Sequence, residues 1–177
     1  TPAVKSPDTA YTIFTSGSTG EPKGVVISHI AALNTIDAVN KEFGVTAADR
    51  VLSVSSLGFD LSVYDLFGPL LCGGSVVMLS EESAKNPAVW SELLRRHGVT
   101  LWNSAPALAS LLAEEGAAAP SVRAFLLSGD WIPLALPEAL LRLAPDAEVV
   151  SLGGATEGSI WSIFHRVAAE DDKGRSI

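Results

Sequence analysis

Short apolar runs and helix-spaced patterns alternate along most of the chain. YTIF at 11–14 and VVIS at 25–28 are rich in β-branched and aromatic residues and flank a glycine-, serine- and threonine-rich loop, so two strands joined by a turn are predicted. Ser28 stands as a cap before HIAALNTIDAVNKEF, 29–43, whose apolar spacing predicts a helix ended by Gly44. VLSVSS at 51–56 reads as a strand, SVYDLFGPLLCGG at 62–74 as a short helix with a glycine stop, and SVVML at 75–79 as another strand. The helix predicted over 86–98 is fully punctuated: Asn86 caps it, Pro87 sits in its first turn and Gly98 lies past its end. TLWNSAP, AFLLSGD and EVVSLGG are strand-like, and the segments ALASLLAEE and LPEALLRLA between them carry helical spacing.

This alternation predicts an α/β fold, a doubly wound and mostly parallel sheet flanked by helices, forming one domain or subdomain over 1–177. The strands are nearly continuous apolar runs, as expected where helices cover both faces. Open sheets of this kind bind ligands outside the carboxyl ends of their strands. TSGSTG, SSLGFD, NSAP, LSGD and GGATE are polar or glycine-rich and all follow predicted strands, so they are expected on one rim. AEEGAAAPS reads as a small-residue loop within the domain.

Composition narrows the function. With 47% hydrophobic and 18% charged residues over 177 positions, the chain has material for a packed core. Twelve basic against twenty acidic residues give a net charge of −8, which repels a polyanion and argues against nucleic acid as a partner. Any phosphate must then be met by local groups. The single Cys72 cannot form an internal disulfide, and neither a membrane-length apolar run nor a signal peptide is visible, so a cytoplasmic protein without a membrane partner is expected. The missing initiator methionine and the abrupt end at DDKGRSI suggest a piece of a longer polypeptide.

The densest chemistry lies in TSGSTGEPKG, 15–24. Glycines let successive N–H groups turn toward an anion, the hydroxyls of Thr15, Ser16, Ser18 and Thr19 add donors, and Lys23 adds a compact positive charge, a combination suited to polyphosphate. The spacing departs from G-x-x-x-x-G-K-[ST], and a strand rather than a helix follows, which disfavours an ordinary P-loop NTPase. The plain alternative is a polar hairpin turn. His29, His97 and His165 show no metal-ligand spacing with one another or with Cys72, which disfavours zinc. Ser128-Gly129-Asp130 has no histidine nearby in sequence, and the Gly154–Gly158 stretch carries Thr156 where a nucleophile elbow needs serine, so a hydrolase has little support.

TSGSTGEPKG with VVISH behind it resembles the phosphate-loop signature of the adenylate-forming superfamily. SSLGFDLSVYDLFGPLLCGG is similar to the substrate-pocket motif of nonribosomal peptide synthetase adenylation domains, and SLGGATEGSIW to their nucleotide and metal motif. The resemblance spans Thr15 to Trp161 and implies a subdomain of a larger N-terminal adenylation core. It implies ATP contacts from Thr15, Ser16, Gly17, Ser18, Thr19, Gly20 and Lys23 on the outer phosphates, and from Thr156 on the α-phosphate, with Glu157 as a Mg²⁺ ligand. Lys23, Thr156 and Glu157 would be the residues closest to the chemistry. By itself Glu157 reads as a solvated surface glutamate. Gly153 stands where the family usually carries an aromatic residue beneath adenine, so adenine is expected against the peptide plane of Gly153 and Gly154, beside Ala155.

The same resemblance places Asp60 against the α-ammonium of an amino-acid substrate, with Leu61, Tyr64, Asn103, Leu126, Ser128, Leu152, Ile160 and Trp161 lining its side chain. These nine spell D-L-Y-N-L-S-L-I-W, similar to the code of cysteine-activating domains. Tyr64 and Trp161 would fill space, Leu126, Leu152 and Ile160 form an apolar wall, and Asn103 and Ser128 supply polar contacts to the thiol. Taken singly, those three apolar residues read as core. The implied activity is ATP-dependent formation of an aminoacyl-AMP for loading a peptidyl carrier protein. The family's ribose-binding Asp and mobile lysine would lie beyond Ile177, so this chain alone is expected to be inactive and to need the remainder of the domain. Two alternatives stand beside this reading: activation of another small amino acid, and a non-catalytic specificity or interaction module.

Overall fold

A computed structural model describes residues 7–16 and 20–168. The first two strands, β1 (Thr9–Thr15) and β2 (Lys23–Ser28), form a separate antiparallel hairpin. They are followed by α1 (His29–Glu42), β3 (Arg50–Ser53), α2 (Leu61–Leu71), β4 (Ser75–Met78) and α3 (Pro87–His97). β5 (Leu101–Ser104), α4 (Pro106–Glu115), β6 (Ala124–Leu127), α5 (Leu136–Leu143), β7 (Glu148–Gly153), a 3-10 turn (Thr156–Gly158) and β8 (Ile163–Arg166) complete the order.

Six strands make the main sheet in the order β4-β3-β5-β6-β7-β8, the first five parallel and β8 antiparallel to β7. The fold is therefore the expected mostly parallel α/β sheet, with two differences. TSGSTG does not follow a strand of this sheet; the strand before it, β1, belongs to the separate hairpin. β8 was not anticipated, because all four residues of IFHR are exposed and carry no apolar alternation.

Local signals explain most boundaries. Ser28 Oγ accepts from Ala31 N at the start of α1. Asn86 Oδ1 accepts from Ala88 N and Val89 N, and Gly98 ends α3 with a left-handed φ of 57°.

Strand alternation sorts the core into two layers. Val51, Leu101, Leu126, Val150 and Leu152 face α1 and α2, packing with Ile36, Val39, Leu61 and Tyr64. Leu52, Trp102, Phe125, Leu127 and Val149 face α3, α4 and α5, packing with Trp90, Leu94, Leu112 and Leu140. Helices thus cover both faces. At the amino ends of the strands, Arg123 grips Asp49 bidentately at 2.8 and 3.1 Å and donates to the Phe43 carbonyl, while Thr100 Oγ1 donates to Asp49. Burial alone would raise the Asp49 carboxyl, but bonds from Arg123, Thr46 and Thr100 outweigh it and hold the carboxyl below its ordinary value. This network clamps the end of the sheet opposite the candidate site.

The connections after β3 and β5 leave their strands in opposite directions across the sheet, so a topological switch point opens between the carboxyl ends of β3 and β5. Asp60 follows the first of these strands, and Asn103 is the next-to-last residue of the second. No helix among the described residues is long and apolar enough to cross a membrane.

Candidate functional site

The hairpin supplies one wall of the rim. Thr15 lies opposite Lys23 in its register, with Thr15 Oγ1 donating to the Lys23 carbonyl at 3.5 Å. Gly17, Ser18 and Thr19 lie outside the described residues. Ser16 and Lys23 are exposed, and Gly20 takes a left-handed φ of 85° that favours glycine. Among the described residues no carboxylate pairs with the Lys23 ammonium, which leaves it available to an anion. β2 packs on the Thr156–Gly158 turn, so the strand that opens with Lys23 and the GGATE segment are neighbours in space.

That turn is tightly constrained. A Cβ on Gly154 would come within 2.8 Å of Trp161 Cα and 2.9 Å of the Ile160 carbonyl oxygen, so backbone approaches too closely for any other residue. Ser159 and Ile160 both take positive φ, 64° and 71°, which is unusual for serine and strained for a β-branched isoleucine. This reversal turns Trp161 under the loop. Thr156 is half-buried, whereas Ala155 and Glu157 are exposed. Gly153 pairs with Ile163, whose Cγ1 would lie 3.1 Å from a Cβ at 153; Ile163 thus occupies space that a ring at that position would need.

Eight of the nine expected lining residues are linked by shared core packing or hydrogen bonds, and Asp60 stands at the head of α2 next to Leu61. Alternation along neighbouring strands sends Asn103, Leu126 and Leu152 toward α2, and Asn103 lies directly opposite Leu126. Asn103 Nδ2 donates to the Leu61 carbonyl at 3.2 Å. Tyr64 and Trp161 meet edge to face with centroids 5.1 Å apart, and Trp161 Nε1 donates to Ser128 Oγ at 2.9 Å. All but Asp60 are buried, and Asp60 stands half-buried at the amino end of α2 without capping it. Leu126, Leu152 and Ile160 belong to the core cluster that Tyr64 and Trp161 share, so they are core and candidate lining together. Ser128 Oγ is already engaged by Trp161, so Asn103 has the freer polar atom: its Oδ1 is buried without a partner.

Three residues were missed. Asp65, one helical turn beyond Leu61, is completely buried, accepts from Asn103 Nδ2 at 2.7 Å through Oδ1, and has no partner for Oδ2. Burial pushes its carboxyl up to about 8, with Asn103 and Ser55 opposing the rise. A signal was present: Asp65 is the sole charged residue between Asp60 and Glu81. Tyr11 and Ser159 are the others. Their hydroxyls are neighbours, yet neither makes a well-formed hydrogen bond. Burial raises the Tyr11 phenol above its ordinary value, with the Asp60 charge adding to the effect and Ser159 opposing it.

A cavity of about 430 Å³ lies between α1 and the β7–β8 edge, with Asn34, Ala38 and Phe164 among its lining. It touches the expected site only at Leu152 and Trp161 and does not include Asp60 or Asn103, so it is a separate feature behind Trp161.

A mostly parallel α/β sheet, with a separate hairpin packed against the turn that follows β7, is consistent with an adenylate-forming enzyme. The model of the AMP-binding enzyme family matches residues 1–177, and the chain belongs to that family. It is 50% identical to the pyochelin synthetase PchF of Pseudomonas aeruginosa (strain UCBPP-PA14) over 98% of its own length and 10% of that protein. Among solved structures it is similar to the nonribosomal peptide synthetase FmoA3 in its AMPPNP-bound form, with a TM-score of 0.88 and 45% identity over 96% of this chain and 18% of that one. The Vibrio cholerae adenylation domain AlmE, in complex with glycyl-adenosine-5'-phosphate, gives a TM-score of 0.86 and 31% identity over 97% of this chain and 32% of that one. The chain thus spans about a tenth of the length of the pyochelin synthetase it matches.

Proposed function

We propose that the chain is the central α/β part of a nonribosomal peptide synthetase adenylation domain that activates L-cysteine in the cytoplasm for a peptidyl carrier protein. The observation that supports this reading is the packing of β2, the strand that opens with Lys23, on the Thr156–Gly158 turn, which makes the strand after the phosphate-loop motif a neighbour of the nucleotide motif. The AMPPNP bound to FmoA3 and the glycyl-adenylate bound to AlmE support the class of reaction.

In that reaction a carboxylate oxygen of the amino acid attacks the α-phosphorus of ATP, the bond to the β-phosphate breaks, and pyrophosphate leaves. Thr15, Ser16, Ser18, Thr19 and Lys23 orient the outer phosphates and offset the charge that builds on the leaving group. Thr156 contacts the α-phosphate. Glu157 is an exposed single carboxylate, which fits a Mg²⁺ ion that takes its other ligands from phosphate and water. Bound there, the ion would neutralise phosphate charge. Asp60 pairs with the α-ammonium and so selects amino acids over simple carboxylic acids. The apolar wall suits a polarisable thiol better than a hydroxyl that must shed water.

Two substitutions test this in the complete adenylation domain. Lys23→Ala should slow single-turnover adenylation by about 2 to 4 kcal/mol in barrier height, the scale of one preorganised charge at a leaving group; an unchanged rate would remove Lys23 from the mechanism. Trp161→Ala enlarges the side-chain end of the site, so pyrophosphate exchange with cysteine should weaken while leucine and valine gain. Equal losses for cysteine, serine, valine and leucine would overturn the lining assignment, and a preference of the unmutated domain for any of the other three would overturn cysteine.

A further inference from the structure

The Asp65–Asn103 pair leaves unused the two atoms that could have bonded each other. A carboxylic acid and a carboxamide can close a ring of two hydrogen bonds. Here Asn103 Nδ2 donates to Asp65 Oδ1 at 2.7 Å and to the Leu61 carbonyl at 3.2 Å; the Ser55 N–H and hydroxyl lie near the Asp65 carboxyl, but neither closes a well-formed hydrogen bond on Oδ2, and Asn103 Oδ1 is likewise buried without a partner. Buried polar atoms are nearly always satisfied, so two orphans on one linked pair call for a third group. We propose that Asp65 is a specificity-determining residue, its Oδ2 acting with Asn103 Oδ1 to receive a substrate side chain ending in a group that both donates and accepts a hydrogen bond, a thiol or a hydroxyl. This rests on the reading of the amino-acid site given above and extends that site to a residue outside its nine expected members.

The environment supplies the required polarity. Asp65 is fully buried, and its neighbours are polar rather than charged: Ser55 from the segment after β3, Asn103 from β5 and Tyr64 from its own helix. Its raised carboxyl keeps a proton at neutral pH, so Oδ2 is a donor while Asn103 Oδ1 is an acceptor. A methyl-ended side chain would leave both unmet. Tyr64 is the next residue along the helix, Leu126 lies opposite Asn103 on the neighbouring strand, and Tyr64 packs edge to face on Trp161, so the pair is set among buried, bulky side chains.

The test uses the complete adenylation domain with L-cysteine and L-2-aminobutyrate, which carries a methyl in place of the thiol. Asp65→Leu should cut the kcat/KM preference for cysteine over 2-aminobutyrate by about tenfold or more, the discrimination lost when a polar match is removed, and the change should appear in KM for cysteine. An unchanged ratio overturns the proposal. Should the leucine variant fail to fold, difference infrared spectroscopy on the unmutated domain decides. The protonated-carboxyl band that disappears in Asp65→Asn should shift when cysteine is added and stay in place with 2-aminobutyrate; no shift, or equal shifts, overturns the role. If the unmutated domain supports no amino-acid-dependent pyrophosphate exchange, the functional reading itself fails and takes this proposal with it. Exchange with an unchanged ratio in Asp65→Leu removes Asp65 alone.

Discussion

Asp65→Asn is expected to stabilise the protein strongly at pH 8 and to change its stability little near pH 4. The carboxyl sits at about 8 in the folded protein against an ordinary value of 3.8, because burial penalises its charge. Between those two values the folded state holds a proton that the unfolded chain has released, so stability falls as pH rises through the window. The amide of the variant never ionises, yet keeps an oxygen that can accept from Asn103 Nδ2. The gain should therefore grow from near zero at the acid end to on the order of 3 to 5 kcal/mol at the alkaline end. Urea unfolding of both proteins at the two pH values measures it. A gap of equal size at both would mean that Asp65 does not titrate with folding.

Asp60→Ala should lower kcat/KM for every amino acid together, by about 2 to 4 kcal/mol, roughly 30- to 1000-fold. The α-ammonium is common to all of them, and losing its carboxylate partner leaves a charge uncompensated as the site closes. Because Asp60 is half-buried in the free protein, the lower part of that range is expected wherever water still reaches the ammonium. The discriminating substrate is 3-mercaptopropionate, the cysteine skeleton without its ammonium. Its activation should not fall with Asp60→Ala. Parallel losses for cysteine and 3-mercaptopropionate in pyrophosphate exchange would place Asp60 in a structural role.

Whether the single carboxylates of this chain work by charge or by neutrality depends on their surroundings. Asp60 and Asp65 are five positions apart on and beside one helix, yet the first stands at the rim and the second is wholly enclosed. Charge recognition needs the first arrangement, and a neutral donor needs the second.

Caps, turn glycines and apolar periods act within a few residues, and so the elements of this fold were legible along the chain. Asn86, Pro87 and Gly98 bound α3 as expected, and the apolar runs of β5 and β6 became strands buried on both faces. The motif segments were legible for the same reason, since a phosphate-cradling loop is a local arrangement of glycines and hydroxyls. What remained hidden depends on contacts across the chain. The hairpin stands outside the main sheet, which only strand pairing decides. β8 owes its place to pairing with β7 rather than to its own exposed side chains. The positive φ of Ile160 is imposed by the close return of the backbone over Gly154, against its own preference. Asp65 is one residue in an apolar helix until β5 brings Asn103 within 2.7 Å. Sequence by itself determined the elements, the sheet class and the chemical character of the rim, because those follow from neighbours in the chain. Only the tertiary structure decided which polar atoms are sealed from water and left unpaired, because burial is a property of the packed whole.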